Sequence, residues 1–544
     1  MSHNLDNSES LAKSPSPAEF VFKGGRILTM DPSKPRATVI ACHEGRLVYV
    51  GDEFREALAS LPGDPEVIDL KGRHVVPGLI DSHAHVLHEG LRLSQLDLTG
   101  YSYEETLEAV AEEAKKRPKG VWIHGRRWDQ NIWEDKGWPS RLDLDQAAPD
   151  NPVVLDRVDK HSIWANTMAL KLSGLGKDTK DPEGGEIVRE WDRSPAGVLI
   201  GKAMFLVYDK MPLLDGQDFT ETYVKGQAEA MSFGLTTLVD CAVRPKEYPL
   251  IERAVAKGLV KARLRLYVIC DPWDEEFLAP GPRRGLFGDK LSIDGIKVFS
   301  DGSLGSRSAW LLDDYADRTG YRGGHIYSDE ALTAIFAKAK KLGYQVAIHV
   351  IGDAAVAQAI RAMSAVLGSE RTSRNWRLEH YQVVSDADRE MVLSMGLIPS
   401  IQSVGLMTDL HMVKGRLGPE RLGRAYAWRD VIDRGGYIIN GSDSPVESVN
   451  PFMGMYAAVT RKDLKGQPKE GFAPEHALSR MEALLSYTVW PARAAFSEDV
   501  LGSLTVGKYA DFAILDRDIL TCPERAIAST RVMGTAVGGE IVKG

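Results

Sequence analysis

Eight short apolar runs, each ending in polar or charged residues, constrain this chain more than any other feature. They read HVVPGLIDSHAH (74–85), LTTLVDC (235–241), RLRLYVIC (263–270), IDGIKVFSDG (293–302), YQVAIHVIGD (344–353), WRLEHYQ (376–382), GLIPSIQS (396–403) and GYIINGSD (436–443). From the second run onward, helix-patterned stretches such as DEALTAIFAKAKKLG and DADREMVLSMG separate them. Eight strands alternating with helices predict an α/β chain folded as a (β/α)8 TIM-like barrel. An open doubly wound sheet is the alternative on the same pattern.

About 150 residues separate the first run from the second, far more than one crossover needs. The gap predicts an inserted lid or subdomain at about 100–225, within a barrel spanning 76–495. Short β-patterned segments flank the barrel: FVFKGGRILTM and RLVYVGD before it, GKYADFAILD and RVMGTAVGGEIVKG after it. Neither pair can bury a core alone, so 18–75 plus 496–544 are expected to meet as one small β-sandwich. Residues 1–17 are polar and rich in serine and proline, with no apolar stretch, and read as a disordered tail rather than a signal peptide.

Composition enters chiefly through what it excludes. Among 544 residues, 67 Lys and Arg oppose 76 Asp and Glu, a net charge of −9 with no long basic run, so no nucleic-acid partner is expected. No window of about 18 apolar residues occurs, so no membrane helix is expected either. Cys42, Cys241, Cys270 and Cys522 are scattered without a CxxC pair, which fits reduced thiols in a cytoplasmic protein. Assembly into a homo-oligomer is left open.

Functional groups of such a barrel gather at the C-terminal ends of its strands. There the chain carries His83 and His85 (run one), Lys297 (four), His349 (five), His380 (six) and Asp443 (eight). Alternate strand residues share a face, so His83 and His85 can converge on one ion. One such histidine would ordinarily be a satisfied polar residue. Four of them with an aspartate, all at strand ends, point to a site for zinc or a similar divalent metal. His88 lies beyond the strand and is assigned a supporting or structural role. Lys297 could be ion-paired or exposed, but Ile296, Val298 and Phe299 around it favour burial.

This arrangement resembles the amidohydrolase superfamily, and within it the YtcJ-like branch that includes N-substituted formamide deformylase. The stretches GRRWDQNIW (125–133), DRVDKHSIWANTMAL (156–170), GGEIVREWDRSPAGVLIG (184–201), KVFSDGSLGSRSAWL (297–311), HVIGDAAV (349–356) and AYAWRDVI with GSDSPVESVNPFMGMYAAVTR (425–461) carry the likeness. The resemblance implies that His83 and His85 bind one metal and His349 and His380 a second. Lys297 would bridge them once carboxylated, since a bare cation beside two metals is disfavoured. Asp443 would be both a ligand and the group that takes a proton from water and delivers it to a leaving nitrogen. The implied activity is hydrolysis of a non-peptide carbon–nitrogen bond in a small amide-like molecule, an N-substituted formamide or N-acyl compound, by metal-activated hydroxide. A cyclic-amide hydrolase or a deaminase would use the same groups, and a catalytically silent metal-binding protein is the alternative from another class.

The same likeness makes Trp128 and His161 candidates for the substrate cavity, with plain packing as the alternative. Arg307 could meet a substrate carbonyl or carboxylate, or form a structural salt bridge. Asp301 and Asp353 are expected to orient loops or ligands. One departure affects the substrate. After run seven, members of this branch often read Gln-Pro-x-His with an aspartate four residues on, whereas this chain has Ser403 for the proline and Gly405 for the histidine, while Asp409 matches.

Overall fold

A computed structural model describes residues 19–158, 162–182, 185–211, 216–368 and 373–542, with the backbone alone at 216–218. The expected tail, 1–17, lies outside the described residues. The chain divides into two compact units, 1–89 with 223–544, and 90–222.

The first unit contains a nine-stranded sheet in which Arg283–Gly285 pairs antiparallel with one strand and the other eight form the barrel: β1 (Leu79–Ala84), β2 (Leu235–Val243), β3 (Arg263–Ile269), β4 (Leu291–Phe299), β5 (Gln345–Val350), β6 (Arg377–His380), β7 (Ile398–Ile401) and β8 (Ile439–Asn440). They lie side by side in chain order, every neighbouring pair is parallel, and the sheet is a nearly closed barrel rather than an open doubly wound one. Alternation sorts the side chains of β4. Ile296 and Val298 are buried to one side, while Gly295 faces Tyr267 so closely that a Cβ there would lie 2.5 Å from the ring. Ile80, Val239, Cys241, Tyr267 and Ala347 pack into one cluster, as the apolar layers of a filled barrel require. The expected helices lie between strands. Asp329–Leu342 is capped by the Ser328 hydroxyl and Asp386–Met395 by that of Ser385, each accepting a backbone N–H of the first turn.

Run one differs from its sequence reading. It is two strands in two sheets, His74–Pro77 and β1, broken at Gly78. A Cβ at Gly78 would lie 2.1 Å from Thr236 Oγ1, so the close approach of β2 requires glycine here. His74–Pro77 pairs with Arg26–Leu28 and Phe512–Leu515 in a six-stranded sheet, while Phe20–Lys23 belongs to a four-stranded one. Phe20, Phe22, Ile40, Leu47, Val75, Phe512 and Ile514 bury one core, with Phe22 and Phe512 edge to face at 4.8 Å. Arg263 of β3 holds Asp511 through two bonds of 2.7 and 3.1 Å and stacks on Tyr509, which fastens this C-terminal strand to the barrel.

The unit 90–222 is built on a separate six-stranded sheet, with strands from Leu96–Asp97 to Pro195–Gly201. No helix among the described residues is long and apolar enough to cross a membrane.

Candidate metal centre

The six strand-end residues, separated by up to 360 positions in the chain, come together. His83 Nε2 and His85 Nε2 lie 3.5 and 3.0 Å from Asp443 Oδ1, and Lys297 Nζ lies 3.4 Å from His83 Nε2. The His380 ring stands 5.2 Å from that of His83 and 4.4 Å from that of His349, centre to centre. His83 and Lys297 are each 1% exposed.

Local backbone aims these groups. His380 follows Glu379 on β6 and by alternation would face away from it, but a φ of +71° turns the chain and brings the ring inward. Asp443 has a φ of +56°, also in the left-handed region. Non-glycine residues held there cost on the order of 1 kcal/mol each and persist where the surroundings fix them. On β2 a bulge at Cys241 and Val243, with Ala242 at φ +68°, turns the Cys241 carbonyl so that it accepts a bond from His85 Nδ1 at 2.6 Å.

The remaining ring nitrogen of His83 meets a group the strand ends did not disclose. Glu379 Oε2 accepts from Nδ1 at 2.5 Å, and Arg377 grips Glu379 with Nε at 2.7 Å and Nη2 at 3.0 Å. All three are almost fully buried. The proton therefore sits on Nδ1 and the Nε2 lone pair faces Asp443, the tautomer a metal ligand needs. Arg377 and Glu379 are two apart on a four-residue strand, so a charged pair on one inner face was the available sign in WRLEHYQ. Asp81 was missed too. It accepts from His83 N, Ser442 N and Ser442 Oγ, and no periodicity marks a carboxylate two of whose three bonds come from 361 residues away.

Burial, with the nearby Lys297 charge, lowers the pKa of His83 to about 4 and of His349 to about 3. His380 is depressed by burial and by His349. These imidazoles are neutral at pH 7 and can donate lone pairs. Burial opposes both ionised partners of the next pair, but their mutual hydrogen bond and charge outweigh it, raising the pKa of His85 and holding that of Asp443 far down. Glu379 is likewise held ionised, because Arg377 and His83 overcome its desolvation. His83, His85 and Asp443 each offer one ligand atom, all within 4.8 Å of one another. Two imidazole nitrogens with one carboxylate oxygen form a donor set that fits a divalent transition metal, whose binding would displace the proton His85 shares with Asp443.

The weaker candidates have partners of their own. Trp128 is placed in the core of the unit 90–222, fully buried among Trp133 and Trp164, with its indole N–H on the Leu155 carbonyl at 2.8 Å. This is the plain packing expected as the alternative for this residue. Arg307 makes a two-pronged salt bridge to Asp317, 3.0 Å at each bond, and Arg416 joins the same carboxylate. That engagement is the structural salt bridge expected as the alternative for this residue. His161 lies outside the described residues. His88 is exposed on the helix Val86–Ser94, with its ring 5.8 Å from His85. Asp301 accepts three backbone bonds, from Trp310, Ile351 and Gly352, and Asp353 accepts one from Leu312, so both fix the loops around β4 and β5. After β7, Ser403 bonds the Gly454 carbonyl, and Asp409 accepts from Gln382 and Tyr426. At Gly405 a Cβ would meet nothing nearer than Glu447 Cγ at 3.8 Å, so space lies open beside a carboxylate.

Comparison with known proteins matches residues 66–543 to the Amidohydrolase family. The chain belongs to that family. Among curated relatives, the putative amidohydrolase YtcJ of Bacillus subtilis is 31% identical, over 96% of this chain and 99% of its own. N-substituted formamide deformylase of Arthrobacter pascens is 28% identical, over 96% and 97%. The crystal structure of an uncharacterized metal-dependent hydrolase from Pyrococcus horikoshii superposes with a TM-score of 0.80 at 28% identity, covering 93% of this chain and 99% of that one. This amidohydrolase is therefore a hydrolase acting on carbon–nitrogen bonds other than peptide bonds.

Proposed function

We propose that this amidohydrolase cleaves a linear amide, an N-substituted formamide or N-acyl compound, with zinc held by His83, His85 and Asp443 on one side and by His349 and His380 on the other. The observation that carries the reading is the approach of Asp443 Oδ1 to two imidazole nitrogens, 3.0 and 3.5 Å away, at the ends of barrel strands. Lys297, buried and 3.4 Å from His83 Nε2, is read as the bridging ligand after carboxylation, which replaces its cation with an anion. When bound, such ions supply Lewis acidity, which makes water a nucleophile near neutral pH.

The chain's own residues do the rest. Asp443 is kept ionised by His85 and so can take a proton from water, then return it to the leaving nitrogen. An amine leaves poorly as an anion, so this delivery is the step the carboxylate serves. Glu379 and Arg377 hold His83 in one tautomer, and Asp301 keeps the loops beside His349 in place.

The name of the Arthrobacter relative puts formamides first among candidate substrates, while the open position at Gly405 supports a pocket unlike that of its relatives. We read the protein as cytoplasmic, in keeping with its four free cysteines. Two assays on the purified protein test the proposal. Metal analysis is expected to give one to two equivalents of zinc. A panel of N-butylformamide, N-phenylformamide, N-acetylglycine and dihydrouracil is expected to give primary amine and acid from the linear amides. Ring opening of dihydrouracil alone, or ammonia from aminopurines added to the panel, would move the assignment to a cyclic-amide hydrolase or a deaminase. A folded protein that takes up no metal would refute it.

A further inference from the structure

We infer that Asp81 is a positioning residue for Asp443, acting by closing the seam of the barrel between β1 and β8. The inference rests on the reading of Asp443 as a metal ligand. The sheet runs from β8 round to β1, and no strand ladder joins these two ends among the described residues. Two backbone bonds cross the gap, Asp443 N to His83 O at 2.6 Å and His85 N to Ser444 O at 3.0 Å. The third connection is the Asp81 carboxylate. Oδ1 accepts from His83 N and from Ser442 N, each at 3.0 Å, and Oδ2 accepts from Ser442 Oγ at 2.6 Å. The same Ser442 hydroxyl accepts from Ser444 N at 3.0 Å, and Ser444 Oγ donates to Glu89 at 2.7 Å.

Asp81 thus grips one backbone N–H on each side of the seam, directly beside the two donors whose spacing matters. Asp443 sits between Ser442 and Ser444, both of them tied, and its φ of +56° needs such restraint. Gly441 lets the strands close to this distance: a Cβ there would lie 2.4 Å from His83 N and 2.8 Å from Asp81 Oδ1. A carboxylate suits the post because it accepts three bonds and brings no hydrogen of its own. The side chain is 1% exposed, and its hydrogen bonds among the described residues all come from His83 N and from Ser442, so it acts on Asp443 chiefly through the chain it holds. Losing it should let Asp443 drift relative to His83 and His85 while leaving every ligand in the chain.

Cobalt(II) tests this without a substrate, since its visible ligand-field bands report the donor set. The full-length protein, stripped and reloaded with cobalt(II), is compared with D81N, S442A, D443N and the double variant D81N/D443N. D81N and S442A are expected to move the bands in the same sense as D443N and to weaken cobalt binding about 10–100-fold. The double variant should bind no more weakly than D443N alone, because Asp81 works through Asp443. Wild-type bands and affinity in D81N and S442A, with only Tm lowered, would show a purely structural carboxylate and overturn the proposal. If D443N itself leaves the bands unchanged, Asp443 is no ligand, and the reading beneath the proposal falls with it. Should D81N fail to fold, S442A, which removes one of the three bonds, decides the matter by the same readouts.

Discussion

The two sides of the candidate centre are built differently. On the β1–β8 side, each imidazole is pinned at Nδ1, His83 by Glu379 and His85 by the Cys241 carbonyl, and both present Nε2 to Asp443. On the β5–β6 side, His349 Nε2 lies 3.3 Å from the Gly302 carbonyl and 3.6 Å from Asp301, and no hydrogen bond holds the His380 ring among the described residues. There the rings are placed by burial, by each other and by the unusual φ of His380. The first side is organised without an ion, whereas on the proposed reading the second would gain part of its order from one. Preorganised donors bind more tightly because less freedom is lost on binding.

The largest effect should come from the pinned side. Asp443→Asn keeps the shape and removes the base, and a loss of about 10³-fold in kcat on N-phenylformamide is expected in steady-state assays. Turnover within a factor of two of wild type would show that the proton is handled elsewhere. Next in size, Glu379→Gln should weaken the tighter ion about 10–100-fold in competition with a chelator. It also leaves Arg377 buried without its counter-charge, so a drop of about 3–5 kcal/mol in stability by denaturant titration should accompany it. An unchanged affinity would mean that the tautomer of His83 needs no support.

A third experiment compares the sides directly. Graded chelation followed by metal analysis should remove one equivalent early and the other late, and His349→Gln should abolish the early phase only. A single phase for both would erase the distinction drawn above. For pH, the apo protein carries the signal. His349 has its folded pKa pushed down to about 3, below the ordinary histidine value, so the unfolded chain binds the proton first as pH falls. Its contribution to stability is complete above about pH 6.5 and declines by about 1.4 kcal/mol per unit down to pH 3. Asp301, raised to about 7 by burial, works in the opposite sense over part of that range. The measurement is therefore the difference in unfolding free energy between wild type and His349→Gln, which should shrink as pH falls. The smallest effect is reserved for Arg307→Ala, which breaks an exposed salt bridge and should cost no more than about 1 kcal/mol. A tenfold rise in KM would instead make Arg307 a substrate contact.

The barrel and its strand-end residues were legible because local rules produce them. Apolar runs bounded by polar residues mark the strands, and on five of the eight a polar residue at or near the C-terminal end is already at the candidate site. What lay beyond reach depends on pairings between distant residues. Gly78 splits one apolar run into strands of two sheets, and only the nearness of Thr236 shows why. Alternation would send His380 outward, and a left-handed φ reverses it. Glu379 is adjacent to a recognised histidine yet serves a different one, 296 positions earlier. Trp128 sits in a stretch that resembles the family, and the likeness does not separate a core position from a cavity wall.

Anomalous diffraction from zinc-loaded crystals, collected on both sides of the metal's absorption edge, tests the central claim most directly. The expected result is a strong peak bounded by His83 Nε2, His85 Nε2 and Asp443 Oδ1, with a weaker one beside His349 and His380. A well-ordered crystal with no peak among these residues, or with its only peak elsewhere, would contradict the account.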